Sequence, residues 1–419
     1  MAQLEAQKNM SADTTPLGPF AGMNNRLPDH QLGITERGQR AGDYLRNAVN
    51  VDLTNAGTLQ RRKGVTLTLS GTQCHSLWAD EQGGYFVDGD ALKTFPGGVV
   101  LRSGLAPGRP ISFARAINGD LYWSNGVTLE RIRNGASIPA GVPLPRAMPL
   151  CSASGGGSLD AGHYRIAITA LAADGEESGA TWPVQIQVPD NGQIVVSGLP
   201  GTRTNIYVSP PNGELLFLVA STTATGYTIP IIGAQGQTLQ SQDMRPMPAG
   251  QIVRIHNARL LVADRFGLYY SEPYAFGWHN PLRGYIPLPG ITLVEPMQSG
   301  IFVATADKTY WLAGADIADS SLVERLPYGA AEGTSTRIAN SLDVAWFSQR
   351  GIVRGTSDGQ IQAPQEENVV VNPARAGATL YREQNGMRQL IAGVSNTTTT
   401  RAAANSFMTM EVRRKESML

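Results

Sequence analysis

The stretch Asn257-Ala-Arg-Leu-Leu-Val-Ala-Asp-Arg-Phe-Gly-Leu-Tyr-Tyr-Ser271 predicts two β-strands joined by a tight turn. Residues Arg259 to Ala263 are apolar enough for a buried strand, Asp264 to Gly267 form the turn, and Leu268 to Tyr270 run back. Asx and glycine residues between apolar runs are a strong hairpin signal, because both tolerate the positive φ that such turns need. We therefore expect a β-hairpin at this position.

The same hairpin pattern occurs at four further places in the chain. These hairpins are predicted at Tyr85–Phe95, Leu121–Ile132, Ile301–Leu312 and Val344–Arg354. If Cys151 to Pro248 is an insertion, corresponding strands recur about every 40 residues, which is typical of β-propeller blades. Stacked sandwiches are the alternative source of such hairpins. The sequence thus predicts an all-β fold with a β-propeller-like body and one inserted domain.

The inserted segment follows a different pattern. Apolar and polar residues alternate from Tyr164 to Ala170 and from Val184 to Val188, which is the period of half-buried strands. About seven short strands in about 90 residues indicate a β-sandwich. The phrase Tyr164-Arg-Ile-Ala-Ile-Thr-Ala170, followed by Gly175-Glu-Glu-Ser178, resembles a fibronectin type III or similar immunoglobulin-like module. This resemblance implies a fold but no ligand.

These patterns divide the chain into five parts. We expect a mobile arm at residues 1–20, the first part of the body at 21–149, an immunoglobulin-like sandwich at 150–248, the second part of the body at 249–395, and a polar tail at 396–419. Insertion of a whole domain is physically reasonable, because connections between strands tolerate a guest whose ends lie close together.

Two local predictions concern the connecting segments. The proline-rich stretch Pro139 to Pro149 is a linker by composition, and the glycine-rich stretch Ser152 to Ser158 is expected to continue it. Ile34 to Ala48 is expected to hold a short helical turn, weakened by Gly38 and Gly42.

The charge composition does not favour a protein that grips nucleic acid over its whole surface. The chain has 34 Lys and Arg residues and 34 Asp and Glu residues, so its formal net charge is zero. Proteins that bind nucleic acid through the phosphates normally carry a basic surplus. The densest basic cluster, Arg61-Arg-Lys63, is interpreted as a solvated turn, with an acidic or phosphate contact as the alternative.

Cysteine use and hydropathy indicate the cellular compartment. Cys74 and Cys151 give no disulfide framework and fit a reducing environment. The first 20 residues lack the apolar core of a signal peptide, and no apolar run approaches the roughly 20 residues that span a bilayer. We expect the chain to be made and folded in a cytosol, with no membrane-spanning segment.

The sequence predicts no catalytic, cofactor-binding or metal-binding residue. The five histidines have no metal-ligand spacing, and they are His30, His75, His163, His256 and His279. Adjacent residues such as Cys74 and His75 point to opposite faces of a strand. Gly355-Thr-Ser-Asp-Gly359 matches a nucleophile-elbow pattern, but the helix that should follow it is missing, so it is interpreted as a turn.

Carboxylates and aromatic residues near hairpin ends leave a binding function open. Asp264, Asp307 and Glu272 are candidates for a glycosidase pair, although turn chemistry explains both aspartates. An aromatic cluster is predicted as a binding platform or, alternatively, as packing between blades, and comprises Tyr269, Tyr270, Tyr274, Phe276, Trp278 and Tyr285. A host-surface glycan-binding or glycan-cleaving propeller is therefore the alternative function.

Scattered phrases resemble proteins of tailed-bacteriophage virions. The N-terminal part resembles the opening of tail nozzle (tail tubular protein B-like) proteins and of packaged-DNA-stabilisation, or head-tail-completion, proteins. The residues that carry this resemblance are Asn24-Asn25, Leu45-Arg-Asn-Ala-Val-Asn-Val-Asp-Leu53 and Gly57-Thr-Leu-Gln-Arg-Arg-Lys-Gly64. The similarity to virion proteins continues in segments that begin at Asn257, Leu268, Gly277 and Ala378. All of these phrases are structural, so no functional residue is carried over.

The resemblance implies a role and a set of partners. It implies a non-enzymatic ring, a hexamer of this chain, that lies below the head-tail connector and adaptor proteins, carries tail fibres or spikes, and lets genomic DNA pass without sequence recognition. It also implies assembly in the host bacterial cytoplasm and a final location in the virion tail. A neutral chain fits such a channel, because every phosphate contact formed during DNA passage would have to be broken again.

Overall fold

The computed structural model describes residues 18–36, 39–64, 66–234, 236–384, 386–396 and 406–411. Within these residues the regular structure comprises 37 strands and two short 3₁₀ helices, Asp29–Gln31 and Ile317–Asp319. Neither helix is long or apolar enough to cross a membrane. The predicted all-β class is confirmed. The expected arm at residues 1–20 and tail at 396–419 fall largely outside the described residues.

The N-terminal strands form a small sheet and a hairpin. They are β1 (Phe20–Met23), β2 (Gly33–Glu36), β3 (Gln39–Leu45), β4 (Val51–Leu53) and β5 (Leu59–Arg61). Strand β3 pairs in parallel with β1 and antiparallel with β2, and β4 pairs with β5. The helical turn predicted from Ile34 to Ala48 is wrong. A Cβ at Gly42 would lie 2.5 Å from the Pro19 carbonyl oxygen, so glycine at this position lets β1 approach β3 and form a sheet.

Two four-stranded antiparallel sheets follow. Sheet I consists of β6 (Cys74–Asp80), β7 (Gly83–Asp88), β8 (Ala91–Phe95) and β9 (Val100–Arg102). Sheet II consists of β10 (Ser112–Arg115), β11 (Leu121–Ser124), β12 (Leu129–Arg133) and β13 (Ala136–Pro139). In both sheets each strand pairs with the next strand in sequence, and the two predicted hairpins are β7–β8 and β11–β12.

The inserted domain is a two-sheet sandwich. Its strands are β14 (Leu150–Leu159), β15 (Gly162–Ala170), β16 (Val184–Val188), β17 (Gly192–Ser197), β18 (Thr204–Val208), β19 (Phe217–Thr222) and β20 (Gly226–Ile229). One sheet has the order β14-β17-β20 and the other β16-β15-β18-β19. The linker predicted at Ser152 to Ser158 is wrong, because those residues belong to β14. A Cβ at Gly157 would lie 2.1 Å from the Gly192 carbonyl oxygen, so the glycines allow an irregularity within a paired strand.

The second part of the body repeats the four-stranded pattern. The short strand β21 (Arg245–Pro246) pairs with β25 (Trp278–His279). Sheet III consists of β22 (Ile252–His256), β23 (Arg259–Ala263), β24 (Gly267–Tyr270) and β26 (Tyr285–Pro287); sheet IV of β27 (Ile291–Met297), β28 (Gly300–Thr305), β29 (Thr309–Ala313) and β30 (Ser321–Leu326). In the central hairpin Leu261 pairs with Tyr270 and Ala263 with Leu268, as the opening stretch predicts.

Two further sheets complete the described body. Sheet V consists of β31 (Thr336–Arg337), β32 (Val344–Ser348), β33 (Gly351–Gly355) and β34 (Ile361–Gln362), and sheet VI of β35 (Ala376–Gln384), β36 (Met387–Ser395) and β37 (Ser406–Glu411). The predicted hairpins in sheets IV and V are formed by β28–β29 and β32–β33.

Successive sheets pack face to face around shared apolar clusters. Between sheets IV and V, for example, the Phe302 ring centroid lies 5.3 Å from that of Trp346. The first strands of sheets II, III and IV are neighbours, which places them along a common inner edge. Four-stranded meanders packed in this way form a β-propeller-like body, so the predicted architecture is confirmed.

The N-terminal strands are joined to residues 368–370 by a group of polar contacts, here called the terminal clasp. Asn25 Nδ2 donates to the Val370 carbonyl oxygen over 2.9 Å, and the Val370 amide donates to Asn25 Oδ1 over 2.7 Å. Asn24 Nδ2 donates to Asn368 Oδ1 over 3.3 Å. These bonds hold the N-terminal strands against the segment that precedes sheet VI.

Candidate functional site

A polar cluster at the inner edge of the body, here called the axial network, is formed by Ser112, Arg254, Glu295 and Ser335. Ser112 opens β10, Arg254 lies in β22, Glu295 lies in β27, and Ser335 directly precedes β31. Arg254 donates from Nε and Nη2 to Glu295 Oε1 over 3.0 and 2.6 Å. One guanidinium therefore reaches residues of sheets II, IV and V from its place in sheet III.

Every N–H group of Arg254 has an acceptor within the protein. Besides Glu295, it donates to Ser112 Oγ over 3.0 Å, to the Val253 carbonyl oxygen over 2.9 Å and to Ser335 Oγ over 3.2 Å. Ser335 in turn donates to Glu295 Oε1 over 2.6 Å. Because a buried carboxylate is costly unless it is paired and hydrogen-bonded, the three bonds to Glu295 Oε1 stabilise its charge, and the network joins four sheets. The network therefore holds neighbouring sheets of the body together.

The predicted glycosidase carboxylates are not brought together as one pair. Asp264 Oδ1 accepts from the amides of Phe266 and Gly267 over 2.8 and 3.0 Å, which is turn chemistry. Glu272 follows β24, so it lies at the opposite end of that strand from Asp264, and it pairs with Arg283 over 2.8 Å. Asp307 lies in the β28–β29 turn of the next sheet.

The predicted aromatic cluster is mostly interior. Phe276 and Trp278 are buried, and the Phe276 ring centroid lies 5.7 Å from that of Tyr122 in the neighbouring sheet. Tyr269 and Tyr285 pack on each other with centroids 4.7 Å apart. Tyr274 is exposed, at 73%. The packing interpretation is therefore the correct one, and the shared platform is not formed.

The nucleophile-elbow pattern from Gly355 to Gly359 is a turn, as predicted. Gly355 ends β33, and the chain then turns into β34. Gly359 has φ +82°, and a Cβ there would lie 2.6 Å from the Trp311 ring. Glycine at this position is explained by the turn and by the indole that covers it.

The histidines and cysteines are dispersed. Burial lowers the pKa of His256 and of His279 below the usual value of histidine, and burial raises the pKa of the Cys151 thiol to about 11. His75 Nδ1 lies 2.8 Å from Ser76 Oγ, whereas Cys74 is exposed. In the part of the chain that the structure describes, no three His, Cys, Asp or Glu residues lie close enough together to bind a metal ion.

The basic cluster from Arg61 to Lys63 lies at the end of the β4–β5 hairpin. Arg61 and Lys63 are exposed, while Arg62 Nη2 lies 3.2 Å from Asp52 Oδ1 across the hairpin. Arg382 of β35 approaches the same carboxylate to 3.5 Å. An acidic contact within the chain thus exists for one of the three residues.

Sequence reasoning did not single out the charged residues of the axial network. The signal was a charge inside an otherwise apolar strand, in Ile252-Val-Arg-Ile-His256 and in Leu293-Val-Glu-Pro-Met297. Charged residues are almost never buried unless they are paired, so each of these charges predicts an oppositely charged residue nearby. The pattern does not say which distant strand supplies it.

Comparisons with known proteins give a distant structural likeness. No family model and no curated protein matches the chain. The N-terminal part of BBS1, crystallised in complex with ARL6, is 12% identical over 78% of this chain and 90% of that chain, with a TM-score of 0.32. One structure from an analysis of two prolyl endopeptidases is 9% identical over 77% of this chain and 55% of that chain, with a TM-score of 0.19. Likeness at this level assigns no function.

Proposed function

We propose that this chain is a non-enzymatic structural protein of a tailed-phage virion, a subunit of the nozzle or hub ring that seals and conducts the DNA channel. The observation that carries the proposal is the axial network. All five N–H groups of Arg254 are bonded inside the protein, so the charge at this inner edge serves cohesion. Such an internal tie suits a subunit that must keep its shape within a ring, because it links neighbouring sheets of the same chain.

The residues that resemble virion proteins support the same proposal. The phrase from Gly57 to Gly64 contains β5, and the phrase from Asn257 to Asp264 contains β23, which is fully buried in sheet III. Both phrases are thus framework, as expected for a protein whose task is assembly. The proposed partners are further copies of the chain in a hexameric ring, the adaptor and connector proteins, and tail fibres or spikes.

Electron cryomicroscopy of purified phage particles that encode this chain tests the proposal. We expect density for the propeller-like body and its sandwich, repeated around the tail axis below the adaptor, and mass spectrometry of the same particles should detect the chain. Particles that lack the chain would refute the role. Incubation of the protein with host-surface oligosaccharides tests the alternative function, because release of reducing ends would identify a glycan-cleaving enzyme.

A further inference from the structure

The inserted sandwich is held to the body by a group of ion pairs, here called the latch. On the body side it comprises Arg131 and Arg133 of β12 with Asp120, and on the sandwich side Asp174 and Glu176, which lie in the connection between β15 and β16. Arg131 donates to Glu176 from both Nη atoms, over 3.1 and 2.5 Å. Arg133 joins Asp174 over 2.7 Å and Asp120 over 2.8 and 2.5 Å.

A second contact between sandwich and body is the indole of Trp278. It is 5% exposed, and it lies against Gly179 of the sandwich and Gly141 of the entering linker. A Cβ on Gly179 would lie 2.7 Å from Trp278 Cζ3, and one on Gly141 would lie 3.0 Å from Nε1. A side chain at Gly179 would therefore collide with the indole, and one at Gly141 would be tightly packed against it, so both glycines favour this close approach.

The sandwich has a core of its own. Its main apolar cluster contains Tyr164, Ile166, Ile194 and Ile206 and includes no residue of the body. The two chain connections to the body are rich in proline, with Pro143 and Pro145 in the entering segment. A module with a separate core and two connections is able to move as one body, and hinge motions of this kind are absorbed by a few connecting residues.

The closed contact leaves two polar donors unpaired. Arg131 Nε and Trp278 Nε1 are buried without a hydrogen-bond partner in the protein. Water would satisfy both donors if the sandwich moved away, so opening recovers part of what it loses in ion pairs. We propose that the sandwich is a hinged module, closed on the body by the latch and able to open as one folded unit that uncovers Trp278.

Two variants attack the contact by independent means. The double variant Asp174→Asn/Glu176→Gln removes the sandwich charges while preserving side-chain shape, and Gly179→Val places a side chain against the indole. The matched control is Glu214→Gln, because Glu214 is 83% exposed and forms an ion pair with Arg165 inside the sandwich. Acrylamide quenching is measured in each background with and without Trp278→Phe, so that the difference reports this indole alone.

We expect both Asp174→Asn/Glu176→Gln and Gly179→Val to raise the quenching constant of Trp278 at least threefold and to increase the radius of gyration in X-ray scattering. The control should match the wild type in both measurements. Unchanged quenching and an unchanged radius of gyration in both of these variants would overturn the proposal. Loss of the β-sheet circular dichroism of the sandwich on opening would overturn it as well, because the module would then depend on the body for its fold.

Discussion

Removal of the Arg254 side-chain charge should destabilise the body more than any exposed ion pair does. The variant Arg254→Met keeps much of the side-chain volume but leaves Glu295, whose side chain is 6% exposed, with Ser335 as its remaining side-chain partner. Removing one partner of a buried pair costs about 3–5 kcal/mol. The Arg254 side chain is 26% exposed, so water would reach the site, and we expect the lower end, about 3 kcal/mol.

Urea unfolding followed by tryptophan fluorescence measures this loss. Of the six tryptophans, Trp182 alone belongs to the sandwich, so the signal reports the body. The control is Lys308→Met, which breaks an ion pair with Glu324 whose side chains are 48% and 43% exposed, and which should cost less than about 1 kcal/mol.

A double variant separates the orphaned charge from simple loss of contacts. Arg254→Met combined with Glu295→Gln removes the unpaired carboxylate, and it should recover more than half of the stability lost by Arg254→Met alone. If Arg254→Met cost no more than Lys308→Met, the interpretation of the axial network as the cohesive centre of four sheets would be refuted.

Three further predictions concern single positions. Gly359→Ala should cost more than Gly290→Ala in thermal unfolding, because both have positive φ but only the first meets a ring, that of Trp311; equal costs would contradict the packing argument. Burial lowers the folded-state pKa of His279 from 6.5, so the stability that the neutral ring contributes is present above pH 6.5 and is lost as the pH falls. His279→Phe should therefore reduce the fall of the urea midpoint between pH 7.5 and 5.5. An unchanged pH dependence of the midpoint would count against burial of a neutral ring. Asp264→Ala removes two turn hydrogen bonds and should lower the free energy of unfolding by about 1 kcal/mol, measured by urea unfolding. No change would show that the turn is stable without the Asp264 side chain.

The hairpins could be predicted because their code is local. In Asp264 to Gly267 the turn residues, the side-chain acceptor and the flanking apolar runs lie within a few positions of one another, and the five predicted hairpins are all present. The period of the repeats then gave the propeller-like body, because a regular unit that cannot bury its faces alone must stack on its neighbours.

The errors and omissions occur where distant residues decide. Strand β3 was expected as a helical turn, but its pairing with β1 at a separation of over 20 residues in the chain overrides local propensity. Strand β14 was expected as a linker, because its glycines suggest flexibility, whereas Gly157 is required by the close approach of Gly192. The bond from Arg254 to Ser112 spans 142 positions, and a single sequence holds no signal for such a contact.

The terminal clasp has a consequence for the timing of synthesis. Asn25 bonds to Val370 across 345 positions, so the contact is impossible until residue 370 has left the ribosome. Because synthesis proceeds at about 5–20 residues per second, the surface of the N-terminal strands that contacts residues 368–370 stays uncovered for many seconds. A nascent chain arrested before residue 370 should therefore expose this surface to proteases, whereas the released protein has it sealed.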